Sequence, residues 1–261
     1  MENMTETQIK YLAGLLDADG SLSFKFCKAN SGKTYVYLIL ALTASEKIDR
    51  HGYVQSLEKY AGSVCKVTYE KETYTDAWKW NVQSRSDLNK LLPRLLKHMV
   101  IKGKHWNNLY EKFTEYKGID VTGRVEVLKQ FSTESRIDTG PVKAKKHPTW
   151  AWVAGYLDGD GCYTLSKQKT LHVGCIAHVN DVVGLELLSK AFGGTIYEPR
   201  DDNSVLWRRG LGKSHRDFAI PFLRKVHKHS QLKRWKIEQL LAFHNQPQRL
   251  NKSSATAEVI V

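Results

Sequence analysis

Residues 11–22 read YLAGLLDADGSL, and residues 152–163 read WVAGYLDGDGCY. The two stretches share Ala-Gly-x-Leu-Asp-small-Asp-Gly at an offset of 141 residues. Self-similarity of this kind, one copy in each half of a 261-residue chain, marks a repeated structural unit. Further anchors follow in order. Tyr60-Ala61-Gly62-Ser63-Val64 aligns with Phe192-Gly193-Gly194-Thr195-Ile196, and Lys104-His105-Trp106-Asn107 with Lys233-Arg234-Trp235-Lys236. The offset drifts from 141 to 132 to 129, so the second copy is expected to have shorter loops. The chain therefore reads as a first half over 1–117, a polar linker over 118–147, a second half over 148–251 and a loose tail over 252–261.

Each unit carries the same hydrophobic pattern. Ile9, Leu12, Ala13, Leu15 and Leu16 recur at helical spacing, and Gly20 supplies a stop. From Ser21 to Lys28 the pattern becomes an alternation, with Leu22, Phe24 and Phe26 on one face and Ser23, Lys25 and Cys27 on the other. A second strand over 34–43, a helix over 46–60, a hairpin over 62–71 and 76–83, and helices over 86–98 and 103–116 complete the first unit. The second unit predicts a helix at 149–159, strands near 162–168 and 171–178, and a helix at 181–192. Strands near 195–199 and 205–211 and helices at 215–227 and 231–244 follow. The expected fold is α+β: a pseudo-twofold tandem of αββαββα units, each antiparallel sheet with one face on helices and one in water.

Composition narrows the function. The chain holds 40 Lys+Arg against 27 Asp+Glu, a formal charge of +13, split about evenly as +7 over 1–146 and +6 over 147–261. Both halves thus favour a polyanionic partner. Hydrophobic content of 41% excludes wholesale disorder, and no apolar run reaches membrane-spanning length. The polar start MENMTETQIK lacks a secretory core, so an intracellular protein of an organelle or microbial cytoplasm is expected. Four dispersed cysteines, Cys27, Cys65, Cys162 and Cys175, form neither a zinc motif nor a disulfide frame. The water-facing side of the sheets offers Ser23, Lys25, Tyr35, Tyr37, Lys66, Thr68, Lys79 and Asn81 in the first half. In the second it offers Thr164, Ser166, Gln168, His172, Arg200 and Arg208. These are the donors, acceptors and aromatics that base edges and phosphates require.

The paired motif has a chemical reading of its own. Gly14 and Ala18, like Gly155 and Gly159, are four residues apart, so small residues share one helix face and two such helices can pack backbone to backbone. Their C-terminal tips would then lie side by side. A carboxylate at a helix C-terminus opposes the macrodipole by about 0.3–1 kcal/mol, and bringing Asp19 near Asp160 adds like-charge repulsion. A divalent metal held by carboxylates and helix-end carbonyls removes that penalty. Metal beneath a basic sheet surface points to phosphodiester hydrolysis, one scissile bond per Asp.

Leu12–Gly20 (LAGLLDADG) and Val153–Gly161 (VAGYLDGDG) resemble the two signature motifs of single-chain LAGLIDADG homing endonucleases, and the order of elements resembles that family over nearly the whole chain. The resemblance implies two sheets straddling double-stranded DNA, in a monomer that is an internal pseudo-dimer. It implies Mg²⁺-dependent cleavage of both strands across the minor groove with short 3′ overhangs. Mn²⁺ is expected to substitute, and Ca²⁺ to bind without cleavage. By motif position it assigns Asp19 and Asp160 as metal ligands, with the Ala18 and Gly159 carbonyls contributing, and Asp17 and Asp158 as braces of the helix ends. A basic residue beside each site falls on Lys102 in the first half; the aligned position in the second is Gln231, with Lys228 and Lys233 near it. An RNA maturase or a non-cleaving DNA-binding protein on the same scaffold is the alternative that the sequence leaves open, with a metal-binding pseudo-dimer lacking a nucleic-acid partner as a third.

Overall fold

Thr5 begins the first helix because Thr-x-x-Gln satisfies its loose ends reciprocally. The Gln8 N–H donates to the Thr5 hydroxyl at 3.3 Å, and the Thr5 N–H donates to Gln8 Oε1 at 2.8 Å. In the computed structural model, which describes residues 2–70, 75–116, 118–142, 148–165, 171–211 and 216–245, this helix α1 spans Glu6–Asp19. Strands β1 (Ser21–Lys28) and β2 (Thr34–Ser45), helix α2 (Tyr53–Ser56), strands β3 (Ser63–Val67) and β4 (Ala77–Val82), and helices α3 (Arg85–Leu96) and α4 (Gly103–Glu115) follow. After α5 (Val125–Glu134) the order repeats: α6 (Trp150–Gly159), β5 (Gly161–Leu165), β6 (Leu171–His178), α7 (Val183–Phe192), β7 (Thr195–Ile196), β8 (Ser204–Leu211), α8 (Arg216–His227) and α9 (Arg234–Asn245). Two antiparallel four-stranded sheets result, ordered β1-β2-β4-β3 and β5-β6-β8-β7. The matching orders confirm the α+β tandem repeat.

The seam between the halves is a contact of backbones. A Cβ built on Gly14 would collide with the Trp152 carbonyl, one on Gly155 with the Tyr11 carbonyl, and one on Gly159 with the Ala18 methyl. Glycine is used here for the absence of its side chain. Leu12, Leu15 and Leu16 of α1 and Val153, Ala154 and Leu157 of α6 are fully buried around the seam and join both halves in one core. Arg50 of the first half adds a second tie, its guanidinium lying 3.7 Å from the ring centre of Trp235.

Several expectations are corrected. The helix expected over 46–60 begins only at Tyr53. Buried Asp49 accepts the Tyr53 and Val54 N–H groups at 2.7 and 2.8 Å, and Gly52 adopts φ +67°, so a turn precedes the helix. Strand β7 stops at Ile196 where 195–199 was expected, ahead of Pro199, which has no N–H for a ladder. Of the expected linker over 118–147, the described residues 118–142 contain α5 and dock on the first half. Its Val121 N–H donates to the Thr34 carbonyl at 2.8 Å, Asp120 and Thr122 accept the Thr34 N–H, and Leu128 is buried. Among the described residues no helix is long and apolar enough to cross a membrane.

Gly14→Ala gains up to about 1 kcal/mol of helix propensity. It also forces the helix backbones apart, and overpacking costs typically about 1–3 kcal/mol. Because the Cβ would meet the Trp152 backbone, which cannot yield as a side chain can, the cost falls in the upper part of that range, and a net loss of about 1–2 kcal/mol lowers the melting temperature by roughly 2–8 °C, at roughly 2–4 °C per kcal/mol for a chain of this size. Gly123→Ala, where a Cβ would meet nothing within 4 Å, is the control that does not lower the melt.

Candidate functional site

Both motif helices deliver an acidic tip to one place. Asp19 ends α1 and Asp160 caps α6. The tips adjoin, since a Cβ on Gly159 would sit 2.9 Å from Asp19 Oδ2.

The residue two positions earlier in each motif does different work. Asp17 is buried and accepts the Val100, Ile101 and Lys102 N–H groups at 2.7, 3.2 and 2.9 Å. Asp158 is buried and accepts the Gln231, Leu232 and Lys233 N–H groups at 2.8, 3.0 and 3.3 Å. Each carboxylate also takes a bond from the opposite half: Trp152 Nε1 donates to Asp17 at 2.8 Å, and the Tyr11 hydroxyl donates to Asp158 at 2.7 Å. These bonds satisfy loop donors at the start of α4 and just before α9, and they lock each loop to both halves. Burial raises the Asp17 pKa, and the Val100 and Lys102 N–H groups pull it back.

The braced loops aim two lysines at the helix tips. Lys102 Nζ donates to the Leu16, Ala18 and Gly20 carbonyls at 3.3, 2.7 and 3.0 Å. Lys233 Nζ donates to the Leu157, Gly159 and Gly161 carbonyls at 3.2, 2.6 and 2.5 Å. The two are pseudo-symmetric counterparts, so Lys233 holds the position that the sequence alignment gave to Gln231. Gln231 instead turns its amide to the His229 carbonyl at 3.1 Å. The signal was present in the sequence: Lys97-His98-Met99-Val100-Ile101-Lys102 and Lys228-His229-Ser230-Gln231-Leu232-Lys233 align at an offset of 131, two residues from the offset of 129 that the tryptophans suggested.

With both ammonium groups spent on carbonyls, the Asp19 and Asp160 carboxylates form a like-charge pair, Asp160 half-buried and Asp19 still reached by solvent. Burial first, and Asp19 second, push the Asp160 pKa up to about 7. Burial raises Asp19 as well, opposed by the charges of Lys233 and Lys102. Desolvation lowers the Lys233 pKa. Among the described residues no cluster of three or more His, Cys, Asp or Glu could hold a metal by itself. The donor set is two carboxylates plus the Ala18 and Gly159 carbonyls, each with a lone pair beyond the one its lysine uses. An all-oxygen set short of positive charge fits a hard divalent cation that completes its shell with water and phosphate.

Strand register decides which candidate contacts face outward beyond the tips. Lys25 pairs with Tyr37 and Cys27 with Tyr35, and Lys79, Asn81 and Ser23 share that outer face. Lys66 does not. It stands opposite Trp78 on the helix-packed side, bonded to Glu46 and Asp76 at 3.1 and 3.0 Å, and Thr68 lies past the end of β3. The alternation was misphased by one residue there; β3 turns Ser63 and Cys65 outward. In the second sheet Thr164, His172 and Arg208 face outward, and a recess lined by His172, Thr195, Tyr197 and Arg208 opens among them. Arg200 sits in the turn between β7 and β8, off the sheet face. Ser166 and Gln168 lie outside the described residues. Outward Thr43 and Thr195, opposite Lys79 and Arg208, were not singled out by the sequence.

Two pseudo-symmetric units joined at carboxylate-tipped helices, each with an outward sheet face, define a structural class. The sequence model described as LAGLIDADG endonuclease matches residues 12–116. No curated protein matches the chain in sequence. The chain is similar in structure to the meganuclease I-SmaMI bound to uncleaveable DNA, with TM-score 0.65 and 19% identity over 91% of this chain and 90% of that one. It is similar to the LAGLIDADG homing endonuclease I-LtrWI bound to target DNA, with TM-score 0.65 and 17% identity over 92% and 91%. It is also similar to I-GzeII in complex with its DNA target, with TM-score 0.64 and 15% identity over 91% and 89%. The family's sequence pattern is thus matched over the first half, and along both halves the chain has the fold of these structures.

The Asp160 shift carries a sign. A carboxyl whose folded pKa lies above its unfolded value binds more protons when folded, so it disfavours folding as pH rises from about 4 through about 7. In chelator, Asp160→Asn is expected to melt higher than the parent at pH 8, and the advantage is expected to vanish near pH 4. Calorimetric melts of both proteins across that range check it.

Proposed function

We propose that the chain is a site-specific DNA endonuclease that cuts both strands of a long duplex, with one scissile phosphate at each motif aspartate. The observation that supports this most is the Asp19–Asp160 pair, adjoining at the helix tips, partly desolvated, and among the described residues without an ion pair, between two outward polar sheet faces. A protein gains no stability from such a pair unless a cation joins it. Asp19, Asp160 and the Ala18 and Gly159 carbonyls are the groups that would hold divalent metal, Mg²⁺ in this reading. When bound, the metal supplies Lewis-acid polarisation of the phosphoryl group. I-SmaMI has been solved bound to an uncleaved DNA target in the presence of calcium ions, which favours divalent ions on this scaffold.

The chain's own residues divide the remaining work. Lys25, Lys79, Asn81, Tyr35 and Tyr37 on one face, and Thr164, His172 and Arg208 on the other, grip phosphates and read base edges in the major groove. Lys102 and Lys233 hold the helix-end carbonyls in place and set fixed positive charge against the reacting phosphate, an electrostatic contribution that needs no reorganisation. On this reading the two cuts fall a few base pairs apart across the minor groove, leaving short 3′ overhangs.

The test is incubation with a randomised duplex library and Mg²⁺, followed by sequencing of cut ends. Recurrent paired cuts with 3′ overhangs are expected; the absence of any cut with Mg²⁺ or Mn²⁺, despite binding, removes the proposal. On the site so found, Asp19→Asn and Asp160→Asn are each expected to abolish cutting of at least one strand while duplex affinity stays within a few-fold. Lys233→Met is expected to slow cutting far more than Gln231→Ala. Lys25→Ala or Arg208→Ala should weaken binding without ending cleavage, and a lost phosphate contact should reduce the slope of log affinity against log salt by about one.

A further inference from the structure

The two braced loops are alike in sequence but not in surroundings. In the first half, Met99 and Val100 of Lys97-His98-Met99-Val100-Ile101-Lys102 are buried. Trp152 packs there with them, stacked on Tyr156 at 5.0 Å. His98 is engaged by Glu6 at 2.6 Å. That ground is filled. In the second half the corresponding loop residues are Ser230 and Gln231, and the smaller Tyr11 stands where Trp152 stands. There a cavity of about 240 Å³ opens between the halves, on ground shared by α1, α2 and the 228–231 loop.

Its chemistry is two-sided. Tyr11, Tyr53 and Tyr60 line the wall, Tyr11 and Tyr53 edge to face at 5.2 Å. Tyr60 is steadied by Gln8, whose amide donates to its hydroxyl at 3.0 Å. Lys59, Lys228 and His229 supply the cationic part. Lys59 keeps an exposed contact with Glu2 at 3.6 Å and lies over the Tyr60 ring at 4.9 Å, while among the described residues no carboxylate lies within 4 Å of Lys228 and no hydrogen bond engages the His229 ring. Ser56, Thr7 and Gln231 contribute neutral donors and acceptors between the two.

We propose that this cavity is a binding site for a nucleoside monophosphate, its base against the tyrosine wall and its phosphate at Lys228, His229 and Lys59. Aromatic faces favour a planar base, and a phosphomonoester suits a rim with two lysines and no unpaired carboxylate. The site lies away from the carboxylate tips and does not depend on the nuclease reading. It does communicate with the loop behind one of them. Tyr11 donates to Asp158, and Asp158 accepts the N–H groups of Gln231 and Lys233, so a ligand touching Tyr11 and Gln231 contacts the brace of Lys233 directly.

The test uses the isotopically labelled full chain without DNA or metal, titrated with AMP, GMP, adenosine and inorganic phosphate while backbone amide resonances are followed. Saturable shifts with AMP or GMP are expected at Ser56, Tyr60 and His229, with inorganic phosphate and adenosine each binding at least ten-fold more weakly. Lys228→Ala, on an exposed loop, is expected to weaken the nucleotide at least ten-fold. Tyr11→Trp, which installs the other half's residue, is expected to abolish binding while an unchanged far-ultraviolet dichroism spectrum shows the fold retained. No saturable shift, shifts confined to the outer sheet faces, phosphate binding as tightly as AMP, or insensitivity to Lys228→Ala would each overturn the proposal.

Discussion

The structure depends on two helices touching backbone to backbone. At Gly14 against Trp152 and Gly155 against Tyr11, no side chain separates the chains. This proximity brings Asp19 beside Asp160, and the same proximity lets Trp152 reach Asp17 and Tyr11 reach Asp158 across the seam. Ordinary helix packing at 8–10 Å between axes leaves room for side chains at the contact. Here the site would not assemble at that spacing, because the acidic tips would stand apart and each could be hydrated separately.

The seam carries a conflict that the rest of the fold manages. Each motif has two carboxylates, and burial raises the pKa of Asp17, Asp19 and Asp160. Asp17 and Asp158 are settled by backbone donors and one side chain from the other half, as a buried acid requires. Asp19 and Asp160 are not. The lysines that could have paired with them are turned to the helix-end carbonyls, where a cation also answers the macrodipole. The arrangement gives up local stability at the tips and leaves them in need of positive charge, which is how functional sites commonly differ from the core around them.

Much of this was legible in the sequence, for physical reasons that differ by residue. Gly14, Gly155 and the two Asp-x-Asp-Gly endings announced the seam, because few other purposes require small residues four apart just before paired acids. Strand faces with strict alternation, as from Leu22 to Phe26, were readable by period. The misses have separate causes, each outside the local pattern. Asp49 and Gly52 replaced the first part of a helix with a turn, and the phase of β3 is set by its pairing with Trp78 and Trp80, which residues 62–71 alone do not encode. Lys233 was named only as a neighbour of Gln231 because two tryptophans drew the alignment to the wrong register, although the Lys-His-x-x-aliphatic-Lys repeat held the right one. The docking of 118–142 was hidden because it rests on a few residues, Val121 and Leu128 above all, in a polar stretch.

Duplication imposes one geometry twice, yet the two copies have not stayed equal where equality is not needed. At the seam the substitutions are narrow: Ala18 for Gly159, Tyr11 for Trp152, with the acids and the lysines retained. On the outer faces they are broad. Lys25, Tyr35 and Tyr37 have no like counterparts among Thr164, His172 and Arg208. A strict dimer presents identical faces and can read only a palindrome, since each half-site must offer the same donors and acceptors. A single chain escapes that restriction while keeping the tips fixed. On the endonuclease reading, the retained seam and the divergent faces are one design: cutting demands the twofold axis, and recognition of an asymmetric target demands its loss.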